Sequence, residues 1–150
     1  MDDFSAKPGS PNQFGLLGNE ANSIAPHKRM LSSMTPTIVE KDGQFFMAVG
    51  SPGGSKIITT VFQVITNVIE FNMTLEDAVH KPRFHFQWKP NTLFYEEGAF
   101  DDKLLQDLKS LGHSPKSRDD IGQVEAIIRL PNGKLEGVGD IRGDDSANGI

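Results

Sequence analysis

Between Gln44 and Ile69 the chain passes from the apolar run Phe45-Phe46-Met47-Ala48-Val49, through Gly50-Ser51-Pro52-Gly53-Gly54-Ser55, into a second apolar stretch of different period. The first run alternates too little for a strand with one wet face and suits a strand buried on both faces. In the second, Ile58, Val61, Phe62, Ile65, Val68 and Ile69 recur three and four apart, which predicts a helix, with Ser55 placed to cap its N-terminus. Its many β-branched residues lower intrinsic helix propensity, so burial must drive it. A buried strand, a glycine turn and a buried helix therefore form one unit around which the rest must pack.

Hairpins flank that unit. Thr37-Ile38-Val39-Glu40 and Gln44 to Val49 are separated by Lys41-Asp42-Gly43, and Asp-Gly between apolar runs is a strong hairpin signal. Val124 to Leu130 and Lys134 to Val138 flank Pro131-Asn132-Gly133 in the same way, and Thr92 to Glu96 predicts an edge strand. Thr74-Leu75-Glu76-Asp77 has the spacing of a capping box, with Asp in place of Glu, opening a brief helix that Pro82 ends. Leu104, Leu105, Leu108 and Leu111 mark a further helix stopped by Gly112. Hairpins interleaved with buried helices indicate an α/β or α+β fold with a mixed or antiparallel sheet.

With 150 residues and 37% hydrophobic content, the chain has enough apolar surface for one compact core. Domains of this size bury roughly two-thirds of the surface of the unfolded chain. Its formal net charge of -5 argues against a general nucleic-acid partner, which needs a basic face. No apolar run approaches the roughly 20 residues of a membrane-spanning helix. The absence of cysteine excludes disulfides, thiolate nucleophiles and cysteine-ligated metals. Residues 5–29 hold Pro8, Gly9, Pro11, Gly15, Gly18 and Pro26 among polar residues, the composition of a long loop, compatible with a lid or with disorder.

The glycine-rich turn invites comparison with a phosphate loop, but Ser55 stands where the second glycine is needed and Ile57 where a magnesium-binding hydroxyl is needed. Adjacent glycines before a helix nevertheless let backbone N–H groups approach an oxyanion, although a tight turn without a ligand has the same spacing. Ser32 and Ser33, before the first strand, have hydroxyls and amides suited to a carboxylate, or are ordinary solvated loop. His27, His80, His85 and His113 lack metal-ligand spacing, and alternation in Arg83-Phe84-His85-Phe86-Gln87-Trp88 favours a hydrogen-bonded structural histidine over a ligand at His85. The acidic run from Asp140 to Asp145 lacks the calcium-loop pattern and reads as solvated surface. No metal or cofactor is expected.

Four segments taken together, Met1-Asp2-Asp3-Phe4-Ser5, Lys28 to Thr37, Gly50 to Ser55 and Pro82 to Trp88, resemble the γ-glutamyltranspeptidases in order and spacing, and the likeness covers nearly the whole chain. The resemblance implies an α+β fold, part of the four-layer αββα sandwich of N-terminal-nucleophile hydrolases. It also implies a proenzyme, or zymogen, that cleaves itself into a large and a small subunit. In that family a threonine at the new N-terminus attacks the γ-glutamyl amide, with its own amino group as base. The acyl group then passes to an amino acid, a peptide or water. Residues 1–150 would be the C-terminal portion of the small subunit, with 5–29 as lid loop and linker.

Carried over by position, Asp3 would hold the substrate α-amino group, Ser32 and Ser33 its α-carboxylate, and the Gly53 and Gly54 amides the oxyanion. Phe14 would lie in the lid, where some members have a tyrosine. Met30 stands where proline commonly precedes Leu-Ser-Ser, and Asp140-Ile141-Arg142 where the family has Asp-Pro-Arg. The family's nucleophile falls upstream of Met1, so the sequence reads as part of a longer precursor. Glutathione-like substrates, the large subunit as partner and a periplasmic or secreted site are what the family implies, and these residues alone are expected to be inactive and to self-associate. The alternatives are a related acylase or capsule-processing transpeptidase, which Asp3, Ser32 and Ser33 argue against, or a non-catalytic interaction domain.

Overall fold

A computed structural model describes residues 3–149, so Met1 and Asp2 of the first motif lie outside the described residues. In chain order its elements are β1 (Thr37–Lys41), β2 (Gln44–Gly50), α1 (Ile57–Ile69), α2 (Leu75–His80), β3 (Phe84–His85), β4 (Leu93–Tyr95), α3 (Asp102–Ser110), β5 (Pro115–Ser117), β6 (Glu125–Arg129) and β7 (Leu135–Val138). The fold is α+β. β1, β2, β6 and β7 form an antiparallel four-stranded sheet in that order. β3, β4 and β5 form a second sheet, in which β4 and β5 run parallel.

Asp42 and Gly43 both have positive φ, 54° and 72°, as the primed turn of a two-residue hairpin demands. The register then fixes which side chains share a face. Val49 and Ala126 pair, as do Met47 and Ile128, and this face meets Val61, Val64 and Val68 of α1 with Leu75, Ala78 and Val79 of α2 in the main core. α2 is capped as its sequence predicts, the Thr74 side chain accepting from the Asp77 N–H while its hydroxyl donates to the Asp77 carboxylate.

Four expectations change. β2 is buried mainly through Met47 and Val49, because the opposite face of the sheet, carrying Ile38, Ala48 and Ile127 in one row, has no layer over it among the described residues. Ile38 is 72% exposed. On α1 the buried residues are Ile57, Thr60, Val61, Val64 and Val68, while Ile58 and Phe62 point outward, so the helix is apolar on two sides and the sheet selects which one is buried. Ser55 is no N-cap: the turn winds into α1 through a 3-10 segment, Gly54–Lys56, and the helix begins without a side-chain cap. Thr92 to Glu96 holds no edge strand, since β4 is the middle strand of its sheet, flanked by β3 and β5, each too short to announce itself.

Candidate functional site

The glycine-rich turn leaves β2 at Gly50 and is held from two sides. Ser51 N–H donates to the Met34 carbonyl at 2.9 Å, which brings the Ser32-Ser33 segment alongside. On the other side the Ser51 hydroxyl, fully buried, donates to the Pro52 carbonyl at 2.8 Å and accepts from the Gln123 N–H at 3.0 Å. Gly53 and Gly54 follow at φ 135° and 64°, backbone that side-chain-bearing residues adopt only with strain. Among the described residues neither of their N–H groups donates a hydrogen bond within the chain. Two adjacent donors are thus left free beside a helix N-terminus.

Phe14 covers one side of this turn. A Cβ on Gly54 would stand 2.5 Å from the Phe14 ring, so the aromatic side chain rests directly on the glycine. The loop that carries it is ordered by its own hydrogen bonds: the Asn12 carboxamide oxygen accepts from the N–H groups of Phe14 and Leu16, and Gly9 N–H donates to the Gly18 carbonyl. An isolated bridge between Ser5 and Ser23 closes its base. Residues 5–23 therefore form a closed loop whose Phe14 folds back on the turn. Lys56 lies on the other side, its Cε 3.8 Å from the position of a Gly53 Cβ. Burial, and then the nearby Arg118 guanidinium, draws the Lys56 ammonium below its ordinary range.

Of the residues singled out in the sequence, the structure joins Phe14 to Gly54 and the Ser32-Ser33 segment to the turn. Ser32 and Ser33 are exposed, and among the described residues their hydroxyls make no hydrogen bond. Asp3 is anchored through its backbone, its carbonyl accepting from the Asn22 side chain at 2.6 Å, and among the described residues its carboxylate has no hydrogen-bond donor. His85 is structural, placed between the Thr59 hydroxyl at 2.7 Å and the Gln87 carboxamide oxygen at 2.8 Å.

The acidic run is not simply solvated surface. Asp140 is 1% exposed and pairs with Arg83 at 2.7 Å and Arg142 at 2.9 Å, while Arg142 also pairs with Glu96 at 2.5 Å. Arg142, which follows Ile141, has a full set of partners, including the Val79 and Lys81 carbonyls. Burial pushes the Glu96 carboxyl up, but hydrogen bonds from Arg142 and from the Arg83 and Ile121 N–H groups outweigh it and hold the group below the usual range. Asp140 is also held low, burial being outweighed by the charge of Arg83 and by the Val124 N–H. Sequence reasoning missed this knot and the Ser51–Gln123 contact, because their partners lie far apart along the chain. The one signal available was an Arg, a Glu and an Asp set beside apolar residues.

Residues 1–150 match the family described as Gamma-glutamyltranspeptidase. The chain is 47% identical over 145 residues to the glutathione hydrolase proenzyme of Escherichia coli, covering 97% of this chain and 25% of that protein. It thus spans about a quarter of that relative's length. Among solved structures, a T380A mutant of the Helicobacter pylori γ-glutamyltranspeptidase superposes with a TM-score of 0.84 at 47% identity, covering 95% of this chain and 78% of that one. A Bacillus anthracis transpeptidase, CapD, and a Bacillus halodurans cephalosporin acylase are more distant, each at 26% identity, with TM-scores of 0.71 and 0.73.

Proposed function

Because the chain belongs to the γ-glutamyltranspeptidase family along its whole length, we propose that it supplies the γ-glutamyl pocket and oxyanion donors of an enzyme acting on glutathione-like substrates. The acyl group goes to amino acids, peptides or water. The observation that carries this reading is the pair of free amides at Gly53 and Gly54, at φ angles that keep side chains away and beside the start of α1. Attack by a threonine nucleophile on the γ-glutamyl carbonyl carbon turns its oxygen into an oxyanion, and preorganised N–H donors at that point lower the barrier by several kcal/mol. Collapse of the intermediate expels the amine, and a second attack by water or an amine releases the γ-glutamyl group.

In this reading Asp3 takes the substrate ammonium, and Ser32 and Ser33 take its α-carboxylate. Among the described residues the Asp3 carboxylate and the Ser32 and Ser33 hydroxyls have no hydrogen-bond partner, as a binding surface requires. Phe14 acts as a lid that closes by packing. The positive charges of Lys56 and Arg118 beside the turn favour a developing anion. The large subunit, released from the same precursor, covers the apolar faces left bare here, and the enzyme works in the periplasm or outside the cell. No helix among the described residues is long and apolar enough to cross a membrane.

Gly54→Val in the complete, processed enzyme tests the reading. The expected outcome is a kcat lower by roughly 100-fold or more with little change in KM, since the donors act chiefly in the transition state. The new side chain would also meet Phe14, so the same change is made in a Phe14→Ala background. Recovery of kcat there assigns the loss to lid crowding, and an unchanged kcat in both backgrounds removes the oxyanion assignment.

A further inference from the structure

We infer that Ser51 is a positioning residue for the oxyanion: its buried hydroxyl fixes the plane of the Pro52–Gly53 peptide and so aims the Gly53 N–H. The inference rests on the oxyanion reading above and extends it to a residue that never touches substrate. A trans peptide is planar, with its C=O and N–H pointing in opposite directions, so whatever holds the Pro52 oxygen also sets the direction of the Gly53 hydrogen. Without a Cβ, Gly53 offers little resistance to rotation of that plane. A donor left to rotate would have to be ordered again in each transition state.

The Ser51 hydroxyl supplies the restraint. It donates to the Pro52 carbonyl at 2.8 Å, and its oxygen accepts from the Gln123 N–H at 3.0 Å, which leaves its hydrogen one direction to point. The Ser51 side chain is itself fully buried, which strengthens both bonds at its oxygen. The approach of the supporting segment depends on Gly122, at φ 73°, where a Cβ would stand 2.9 Å from the Ser51 oxygen. Gln123 carries the support onward, its side chain donating to Asp145 at 2.7 Å. A neighbouring hydroxyl provides a contrast: Thr60 Oγ1 is buried against the same glycine and has no hydrogen-bond partner among the described residues.

The experiment uses the complete, processed enzyme and two ligands. One is an analogue with a boronic acid in place of the γ-carbonyl, which forms a tetrahedral adduct with the nucleophile. The other is glutamate, which forms none. Ser51→Ala is expected to lower kcat and weaken the boronate by about tenfold, the scale of one net hydrogen bond, with KM and glutamate binding unchanged. Thr60→Val, which removes a hydroxyl with no hydrogen-bond partner among the described residues, should change neither. Equal weakening of both ligands by Ser51→Ala, or loss of kcat in step with the thermal midpoint, would make Ser51 merely structural and overturn the inference. If Ser51→Ala does not fold, Ser51→Cys, of similar shape and a far weaker donor, gives the same comparison. Gly54→Val in the Phe14→Ala background separates the two claims. Boronate binding weakened there but not by Ser51→Ala leaves the oxyanion reading standing and this inference lost. Boronate binding weakened by neither removes both.

Discussion

An α-amino acid end presents a cation and an anion a few bonds apart, so a pocket for it needs an acid and a set of donors held separately. In the proposed pocket Asp3 and the Ser32-Ser33 pair would meet that need, from two segments that share no hydrogen bond with each other among the described residues. Asp3→Asn removes the charge and nearly keeps the shape. In the complete enzyme it should weaken γ-glutamyl substrates by about 2–5 kcal/mol, the cost of stranding one partner of a hydrogen-bonded charge pair. An analogue lacking the α-amino group should bind the parent poorly and lose little more in the mutant. Equal losses for both ligands, with folding intact, would make Asp3 structural. The ion-pair knot has a different signature. Glu96 and Asp140 both titrate below their ordinary range in the folded chain, so their stabilisation is fully present above the unfolded range of about 4 and drains away as pH falls through the lower folded values. Thermal midpoints should be flat from about pH 7 to 5 and fall below about 4. Asp140→Asn should cost about 3–5 kcal/mol at neutral pH, because it leaves buried Arg83 and Arg142 short of a charge. A midpoint unchanged by that substitution would show that the knot contributes nothing.

Elements whose signals are local were legible, and elements defined by their neighbours were not. The Thr74 cap lies within one turn of chain, and Thr74→Ala should lower the stability of α2 by about 1 kcal/mol, read as a shifted denaturant midpoint with unchanged slope. The two hairpins were equally plain, since Asp42-Gly43 and Asn132-Gly133 carry the turn chemistry themselves. The phase of α1 was not, because Ile58 and Phe62 are as apolar as Val61 and Val64 and only the sheet decides between them. β3 and β5, two and three residues long, have too little pattern to detect, and without them β4 reads as an edge. The glycine turn was located by composition, but its Ser51 brace depends on Gln123, far along the chain. The same holds for Asp140, which looks like one more acid on a wet loop until Arg83 and Arg142 are placed beside it.

At the scale of the whole molecule the described residues bury one face of the four-stranded sheet and lay no layer over the other. Ile38, Ala48 and Ile127 lie in one row across that outer face, and Leu135 shares it by alternation along β7. Ile58, Phe62 and Ile69 make a second apolar stripe on the outer side of α1. Soluble monomers seldom expose contiguous apolar surface on this scale, so both areas call for a cover, which an αββα sandwich provides with its second sheet and adjoining helices. A polypeptide of these 150 residues alone has no such cover. Its interior threonines, such as Thr35 and Thr60, have their α-amino groups tied up in peptide bonds and cannot act as an N-terminal nucleophile. Such a polypeptide should show no turnover of a γ-glutamyl anilide. It should also self-associate with rising concentration, with a mass by light scattering above that of one chain. Ile38→Lys with Ile127→Lys, both on the outer row and away from the glycine turn, should restore monomers without restoring turnover, since charge on that face opposes association and supplies no nucleophile. Monomeric behaviour of the unaltered polypeptide at high concentration would mean that the bare face is no docking surface, and robust turnover would mean that the acyl transfer does not run through an N-terminal threonine.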